Sequence, residues 1–504
     1  MEATDHNEEF LNLTLAIDSN SSFDKKGKRM KTEEVIEPKK DYCEGKILNL
    51  LQLREEMLKL DHKRKGVAED GKGLHLIHLL LISATSVDEN KLDSSVESLS
   101  ELFQNVCLSG DSIQRVAAYF ADGLVARLLT RKSPFYDMIM KEPTAEEEFL
   151  AFTELYKVSP YYQFAHFTAN QAIIEAFEKE EGYNNNALHV IDFDVSYGFQ
   201  WPSLIQSLSD KTTNSHRISL RITAFGRSTE ELHETETRLV CFAKGFRNLV
   251  FEFQGLLRGS SFSNIKRRNN ETLAVNLVFH LNTLTSFSKI SDTLKSVHFL
   301  NPATVILVEQ DGSRNPRSFL ARFMESLHYF AAMFDSLDDC LPLDSAERLG
   351  IEKYHLGREI KRFINFEKDV TNCMKYERME TWKGRMEGHG FEGVKLSSKS
   401  VMQAKLLLKI RSQYCPVQCD GENGGFRVFE RDENTAISLG WQDRSQGYKL
   451  VSYDLDDHKA TEIVDSLNHW TPFSYFDIKN NDDAPVFIQP FAEGLVLLNT
   501  DRYN

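Results

Sequence analysis

The sequence predicts an α/β protein with a Rossmann-like, doubly wound, mostly parallel sheet and an additional α-helical cap. Two observations support this fold class. Five apolar runs of strand length alternate with helical patterns between residues 187 and 338, which is typical of parallel βαβ units. Residues 46–180 show helical periodicity throughout. Because βαβ crossovers are right-handed, the alternating part must place helices on both faces of its sheet.

Composition and length limit the class of protein. The chain has 504 residues, of which 41% are hydrophobic, so it is long enough to bury a large core. We find no window of 18 apolar residues and no secretory signal, and therefore expect a cytosolic or nuclear protein without membrane association. Its seven scattered cysteines predict free thiols and no metal site. Residues 1–45 are polar and aperiodic, which predicts a disordered tail.

Three amphipathic helices are predicted in the helical block at 46–180. They lie near 74–87, 116–129 and 164–177, where apolar residues recur at helical spacing. Such residues either fill the monomer core or form a seam with a partner. We single out Leu124, Leu128 and Leu129 of the second helix as the candidate partner interface.

The α/β core is predicted over 181–455, with its late helices contributing to the cap. Its parallel strands should cover 187–193, 217–225, 249–254, 273–280 and 304–310. The helices that follow them should cover 201–209, 228–245, 286–299 and 316–338. Later helices are predicted at 346–365, 377–389 and 399–412, and later strands at 394–397, 426–430, 436–441 and 449–454. A late antiparallel hairpin on a parallel sheet resembles methyltransferases that use S-adenosylmethionine.

The loop after the first strand is the main argument against an enzyme. Residues 194–201 contain only one glycine, Gly198, among bulky aromatic residues. Phosphate-binding and dinucleotide-binding loops need several glycines so that the backbone can approach the ligand. The second strand also lacks the terminal acidic residue that would hold ribose hydroxyls. We therefore expect no cofactor and no catalytic residue.

Four carboxylates nevertheless lie at the carboxyl ends of predicted strands: Asp192, Asp194, Glu309 and Asp311. A pair of them could perform acid–base chemistry. Such residues more often cap helices or hold loops, and we expect that role here. Replacement of Asp192 by alanine should then cost about 1–2 kcal/mol of stability and no chemistry.

The charge of the chain argues against an independent DNA-binding domain. Sixty Lys and Arg residues stand against 75 Asp and Glu residues, which gives a net charge of −15. Such a field repels the phosphate backbone, so any DNA contact must be local or mediated by a partner. The local candidates are Arg217, Arg221, Arg227, Lys266, Arg267 and Arg268.

A basic cluster interrupts the polar tail. Lys25, Lys26, Lys28, Arg29 and Lys31 place five positive charges within seven positions. Such a cluster fits a nuclear import signal, although a solvated surface cluster would have the same composition. We interpret it as an import signal.

Several motifs together carry a family resemblance. The string His189-Val190-Ile191-Asp192-Phe193, followed by Gln200-Trp201-Pro202, closely resembles the namesake motif of the plant GRAS family of transcriptional regulators. Other matching segments follow in the family's order at 334–337, 348–352, Gly357-Arg358-Glu359, 376–382 with Trp382, 426–428 and 439–441 with Trp441. The resemblance covers roughly residues 72–455.

The resemblance implies a nuclear regulator whose helical cap binds partners. The expected partners are other GRAS-family proteins, in homo- or heterodimers, and DNA-binding transcription factors. Contact with DNA would then be indirect. The motif neighbourhoods favour the branch of the family that is linked to root symbiosis.

The end of the chain departs from the family pattern. The closing Ser-Ala-Trp strand is absent, and residues 456–504 have no counterpart, so we interpret them as an atypical tail. The segment Leu450-Val451-Ser452 could still supply the last strand.

Three classes of function remain open. The first is a non-enzymatic regulator that acts through protein–protein association. The second is a transcription factor that itself binds a specific DNA sequence. The third is a degenerate methyltransferase-like protein that senses a small ligand.

Overall fold

The computed structural model describes residues 38–59, 72–211, 217–312, 318–366, 376–414, 425–441 and 493–502. The chain divides into two compact units. Among the described residues, the first unit contains those up to Phe152 and those from Ser318 to 366, and the second contains the remainder. The boundary at residue 152 falls inside a helix. The predicted import signal at 25–31 lies outside the described residues.

The first unit is entirely helical in its described part. Before the boundary it contains α1 (Pro38–Leu58), α2 (Lys72–Asp88), α3 (Leu92–Asn105), α4 (Ser112–Leu128), α5 (Pro134–Ile139) and the first half of α6 (Ala145–Val158). After residue 318 it contains α11 (Phe319–Cys340), α12 (Ala346–Ile351), a π-helical segment (Glu352–Leu356) and α13 (Gly357–Asn365).

Helix α4 forms the centre of this unit. It begins with a capping box in which the Asp111 side chain accepts from the Gln114 amide, and the Gln114 side chain accepts from the Asp111 amide. Its small residues allow close helix packing: a Cβ on Gly123 would lie 2.7 Å from the Ile364 side chain of α13. Helices α2, α3, α11 and α13 all contact α4.

This packing contradicts the predicted partner interface. Leu124 and Leu129 are 0% and 3% exposed and belong to the monomer core, and Leu128 is half-buried. The reason is that α4 is surrounded by other helices of the same unit, so its apolar pattern serves intramolecular packing.

The second unit contains a nine-stranded sheet and the helices around it. The strands are β1 (Ala187–Asp192), β2 (Ile218–Gly226), β3 (Leu249–Leu257), β4 (Thr272–Val278), β5 (Thr304–Glu309), β6 (Phe391–Gly393), β7 (Phe426–Arg431), β8 (Ala436–Trp441) and β9 (Glu493–Arg502). The helices are α7 (Pro160–Lys179), α8 (Trp201–Lys211), α9 (Thr229–Ala243), α10 (Phe287–Leu300), α14 (Met379–Glu387) and α15 (Ser398–Tyr414).

The sheet has the predicted doubly wound topology. Its order is β3-β2-β1-β4-β5-β9-β8-β7, and strands β1 to β5 are parallel. The central strands β4 and β5 are buried along their whole length because helices cover both faces. The five predicted parallel strands and the helices between them are confirmed, with ends that differ by a few residues.

The closing strands differ from the prediction. The short strand expected at 394–397 lies earlier, at Phe391–Gly393, and the segment 449–454 is outside the described residues. Strand β9 comes instead from Glu493–Arg502, in the stretch interpreted as a tail, and it pairs antiparallel with both β5 and β8. Continuous apolar residues, Leu495 to Leu498, explain how this segment occupies an interior position in the sheet.

Helix α7 also lies in a different unit from the one expected. The helical periodicity predicts that residues up to 180 belong to the helical block, whereas α7 contacts β4, β5 and β9 of the sheet. Its many buried residues cover one face of the sheet. An amphipathic pattern is the same whether the partner is a helix or a sheet, so the sequence did not distinguish the two cases.

Candidate functional site at the carboxyl edge of the sheet

Ligands of doubly wound folds bind at the carboxyl edge of the strands, where the strand order reverses. Here that switch point lies between β1 and β4. The namesake motif continues from β1 through the loop 193–200 into α8. This loop and the ends of β1, β4 and β5 therefore form the candidate site.

The single glycine of the loop serves packing. Gly198 has φ +72°, and a Cβ at this position would lie 2.7 Å from Cγ2 of Thr235 in α9. The Val195 amide donates to the Phe225 carbonyl at 3.0 Å, and the Gly198 amide donates to the Val195 carbonyl at 2.8 Å. The loop is thus folded on itself and on α9, rather than open for a phosphate group.

Asp192 at the end of β1 accepts three hydrogen bonds from the protein itself. Its Oδ2 accepts from Nε1 of Trp201 at 3.1 Å, and its Oδ1 accepts from Nδ2 of Asn276 at 3.1 Å and from the Asp194 amide at 3.2 Å. Burial of this carboxyl raises its pKa to about 7, against the effect of the three donors. Asp192 thus connects β1, β4 and the first turn of α8.

An amide cluster extends from Asp192. The Gln200 side chain donates to Oδ1 of Asn276 at 3.1 Å and to Oδ1 of Asn170 at 3.0 Å. Asn170 in turn donates to the Gln200 carbonyl at 2.9 Å. All three side chains are buried. The family motif includes Gln200 but neither Asn170 nor Asn276, although a lone Asn in the apolar β4 run is a signal for a buried polar partner.

Aromatic rings pack against one another at this loop and at the end of β4. Tyr156 packs on Phe199 at 5.0 Å between ring centroids, and Tyr162 packs edge-to-face on Phe279 at 5.2 Å. Phe279, directly after β4, has φ +55°, a strained value for a bulky residue. The chain thus places its own rings at the edge where an enzyme of this fold would place a cofactor, and the residues present do not fit S-adenosylmethionine.

The other carboxylates at this edge hold loops, as expected. Asp194 forms an ion pair with Arg258 at 2.5 Å. Glu309 accepts from the Asn282 amide at 3.1 Å, and Asp311 accepts from the Met379 amide at 3.0 Å. Burial raises the pKa of both Glu309 and Asp311, the latter to about 6.

His189 lies within β1 and belongs to a second buried network. Its Nε2 is 2.9 Å from Oγ1 of Thr223, and its Nδ1 is 3.2 Å from Oε1 of Glu271. Arg221 is ion-paired with Glu271 and also donates to the Lys266 carbonyl. This guanidinium is 6% exposed, so the prediction that Arg221 contacts DNA is wrong. Side chains alternate between the two faces of β2, and the sequence alone does not show that Arg221 lies on a face covered by the protein.

The other basic candidates fall into two groups. Arg227 pairs with Glu231 at 3.1 Å, and Arg268 pairs with both oxygens of Glu252 at 2.7 and 2.8 Å. Their charge is therefore partly neutralised by neighbours. The remaining three are exposed: Arg217, Lys266 and Arg267.

The remaining family motifs are structural. A Cβ on Gly357, in the first unit, would lie 2.5 Å from the Tyr119 ring and 2.8 Å from the Glu352 carbonyl oxygen. Arg358 pairs with Glu148 at 3.0 Å, and Glu359 is half-buried. In the second unit, the tryptophan of each late motif is buried: Trp382 in the core next to α10, and Trp441 against Phe426.

The first unit also contains a buried ionic cluster around Glu352 at the start of the π-helical segment. Arg348 donates to both of its oxygens, at 2.8 and 3.0 Å, and Arg115 donates to Oε1 at 2.9 Å. Arg115 also pairs with Asp338 at 2.5 Å. The motif at 348–352 is visible in the sequence, but nothing in it points to Arg115, which lies more than 200 residues away in the chain.

Two buried histidines of the second unit should make its folding stability fall as the pH is lowered. Burial lowers the pKa of His166 and His280 to about 3. Since the histidine pKa in the unfolded chain is about 6.5, the unfolded state binds more protons below that pH. Each histidine should therefore lower the free energy of unfolding by about 2 kcal/mol at pH 5.

Urea unfolding between pH 8 and 5 tests this expectation. The free energy of unfolding should fall less in the His166→Phe and His280→Phe variants than in wild type. Exposed His233→Phe is the control, and equal acid losses in all four proteins would contradict the prediction.

In the described part of the chain, no helix has the length and apolar character that a bilayer crossing requires. Nor does any group of three or more His, Cys, Asp or Glu residues there lie close enough together to hold a metal ion.

Comparison with known proteins identifies the family. The GRAS domain family matches residues 76–446. The chain belongs to the GRAS family. GRAS family protein RAD1 of Lotus japonicus is 34% identical over 398 residues, which is 75% of this chain and 74% of that protein. Protein SCARECROW of Arabidopsis thaliana is 34% identical over 389 residues, which is 76% of this chain and 56% of that protein.

A solved GRAS structure supports the fold. The crystal structure of SCL7 from Oryza sativa has a TM-score of 0.57 and 27% sequence identity, and the match covers 78% of this chain and 97% of that one. The predicted family and fold class are therefore confirmed. GRAS proteins are plant transcriptional regulators, so the assignment places this chain in that class.

Proposed function

We propose that this protein is a non-enzymatic regulator that acts in the nucleus by binding other proteins. One observation carries the proposal. The end of β1, where an enzyme of this fold would bind its cofactor, is closed by the bonds from Asp192 to Trp201 and Asn276. The rings of Tyr156, Phe199 and Phe279 lie beside this cluster, so the site is suited to hold the fold together.

Calorimetric titration of the full chain with S-adenosylmethionine tests this reading. We expect no saturable binding. Asp192→Ala should lower the free energy of unfolding by about 1–2 kcal/mol because Trp201 and Asn276 lose their buried acceptor. Saturable binding that is lost in the variant would overturn the proposal and favour a ligand sensor.

The expected partners are other GRAS-family proteins and DNA-binding transcription factors, and DNA contact is expected to be indirect. Size-exclusion chromatography of the chain mixed with a candidate GRAS protein should show a complex. Promoter DNA should be retained only when a DNA-binding factor is present as well. The Leu124 region is not proposed as the contact, because it is buried within the first unit.

Direct DNA binding remains a second candidate because Arg217, Lys266 and Arg267 are exposed. The net charge of −15 weighs against it. If the protein alone binds promoter DNA, and log affinity falls linearly with log salt concentration, it makes its own phosphate contacts. Charge reversal of the three residues should then remove that binding, with exposed Lys399→Glu as the matched control.

Nuclear import has a separate test. Replacing all five residues of the predicted signal at 25–31 by alanine should move a fluorescent fusion of the full chain toward the cytoplasm, because import receptors bind clustered positive charge. Alanine at the exposed Lys395 and Lys399 is the control. Unchanged nuclear accumulation in cells that lack candidate partners would contradict the import role.

A further inference from the structure

Strand β3 (Leu249–Leu257) is an outer strand of the sheet: within the described residues it pairs with β2 alone. The pairing runs in one unbroken parallel register over nine residues. The Ile218 amide donates to the Asn248 carbonyl at 3.2 Å, and the Arg258 amide donates to the Gly226 carbonyl at 2.9 Å. The backbone N–H and C=O groups of the even-numbered residues of β3 therefore point toward β2. Those of the odd-numbered residues point away from the sheet.

The outward backbone groups form a row of open hydrogen-bonding positions. At the two ends, the Leu249 amide bonds to the Phe246 carbonyl, and the Leu257 carbonyl accepts from Ser260. Between them, Phe251, Phe253 and Gly255 each present an N–H and a C=O for which the described part of the chain provides no partner. Three consecutive donor–acceptor pairs are what an added strand requires.

This edge lacks the devices that usually protect edge strands, which include proline, bulges and unpaired charges. Its only charged residue, Glu252, is neutralised by Arg268. Two apolar side chains of β3 are exposed, Val250 by 42% and Leu257 by 43%, and Phe242 of the neighbouring helix α9 is 39% exposed. An unprotected edge of this length favours pairing with another chain.

Charge distinguishes the two ends of the edge. Arg247 and Lys244 are exposed where the chain enters β3, and the bond from Ile218 to Asn248 brings exposed Arg217 to the same end. Three positive charges on a chain with a net charge of −15 make this end locally attractive to acidic groups.

We propose that the outer edge of β3 binds an extended peptide segment of a partner protein, with alternating apolar residues for the edge and acidic residues for the basic end. The peptide adds a tenth strand to the sheet, and its apolar side chains pack beside Phe251 and Phe253. The inference rests on the proposed function of binding other proteins, because it names one such surface and the chemistry of its partner.

A labelled model peptide tests the proposal on the full chain. The probe has three threonine–valine repeats followed by two glutamates, which places the acids beside Arg247 in the antiparallel orientation, the slightly more stable one. Fluorescence anisotropy should show saturable binding. A proline in place of the middle valine, or lysines in place of the glutamates, should each weaken binding about tenfold or more.

Variants and hydrogen exchange define the site. Charge reversal of Lys244 and Arg247 should weaken binding about tenfold, whereas exposed Lys399→Glu should leave it unchanged. Because both positions are exposed, the variants should keep the wild-type circular dichroism. On peptide binding, exchange at the amides of Phe251, Phe253 and Gly255 should slow about tenfold or more, while that of Leu220 in β2 stays constant.

Each alternative outcome is decisive. If the peptide binds but hydrogen exchange at these three amides does not slow, binding rests on charge attraction alone, and the proposed addition of a strand is wrong. Protection that rises with protein concentration and needs no peptide would assign the edge to a second copy of the chain. Failure of the peptide to bind, while the protein still forms complexes with GRAS proteins, would overturn this inference and leave the proposed function intact.

Discussion

Glu352→Gln should lower the free energy of unfolding by about 3–5 kcal/mol. Glutamine keeps the size of the side chain but removes the negative charge that lies between the guanidinium groups of Arg115 and Arg348. Both arginines are almost completely buried, so water cannot replace the lost carboxylate. Since typical stabilities are about 5–15 kcal/mol, the loss should be plain in urea unfolding followed by circular dichroism.

The matched control is Glu252→Gln. Glu252 also bonds to an arginine through both oxygens, but that pair is exposed, and its loss should cost less than about 1 kcal/mol. A second variant, Arg348→Met with Glu352→Leu, removes one charge of each sign and leaves Arg115 its pair with Asp338. It should recover part of the lost stability. A cost below about 1 kcal/mol for Glu352→Gln would contradict the ionic role of the cluster.

Trp201→Ala should lower the free energy of unfolding of the second unit by about 3–5 kcal/mol. The indole is completely buried at the first turn of α8 and donates to Asp192. Trp201→Phe separates the two contributions, because it retains much of the packing and removes the N–H donor. We expect the phenylalanine variant to lose about 1–3 kcal/mol.

Phe299→Ala is the control for Trp201, because Phe299 is 87% exposed and its removal should change stability by less than about 0.5 kcal/mol. Unfolding should be followed in urea by near-ultraviolet circular dichroism. If Trp201→Phe were as stable as wild type while Asp192→Ala was not, the bond between the two residues would not contribute. The importance of Asp192 would then rest on its bonds with Asn276 and with the Asp194 amide.

The parallel part of the fold could be predicted because its signals are local. Strands such as β1 and β5 are short, continuous apolar runs separated by amphipathic helices, and the right-handed crossover rule supplies the topology. The position of β9 has no such local signal. Strand β9 begins 184 residues after the end of β5, and only long-range pairing determines which strand is its neighbour.

The site could be predicted in part. The motif identified Asp192 and Trp201, and the glycine-poor loop correctly indicated a packed turn. Their partners were missed because polar residues such as Asn276 carry no signal of what they bond to until the strands are placed side by side. The leucines of α4 were predicted to bind a partner but are buried within the chain. An apolar helix face does not show whether the same chain or another chain packs against it.

The interior position of β9 has a consequence for the order in which the chain assembles during synthesis. A ribosome delivers β5 and β8 long before Glu493–Arg502 is made, and until then each of these strands has an open ladder where β9 later pairs. The gap can close only after the chain has been made up to residue 502 and β9 has paired with β5 across a long sequence separation, which is slow. The nascent protein therefore exposes the unpaired edges of β5 and β8 until β9 has been made. This is the stage at which we expect a chaperone to bind.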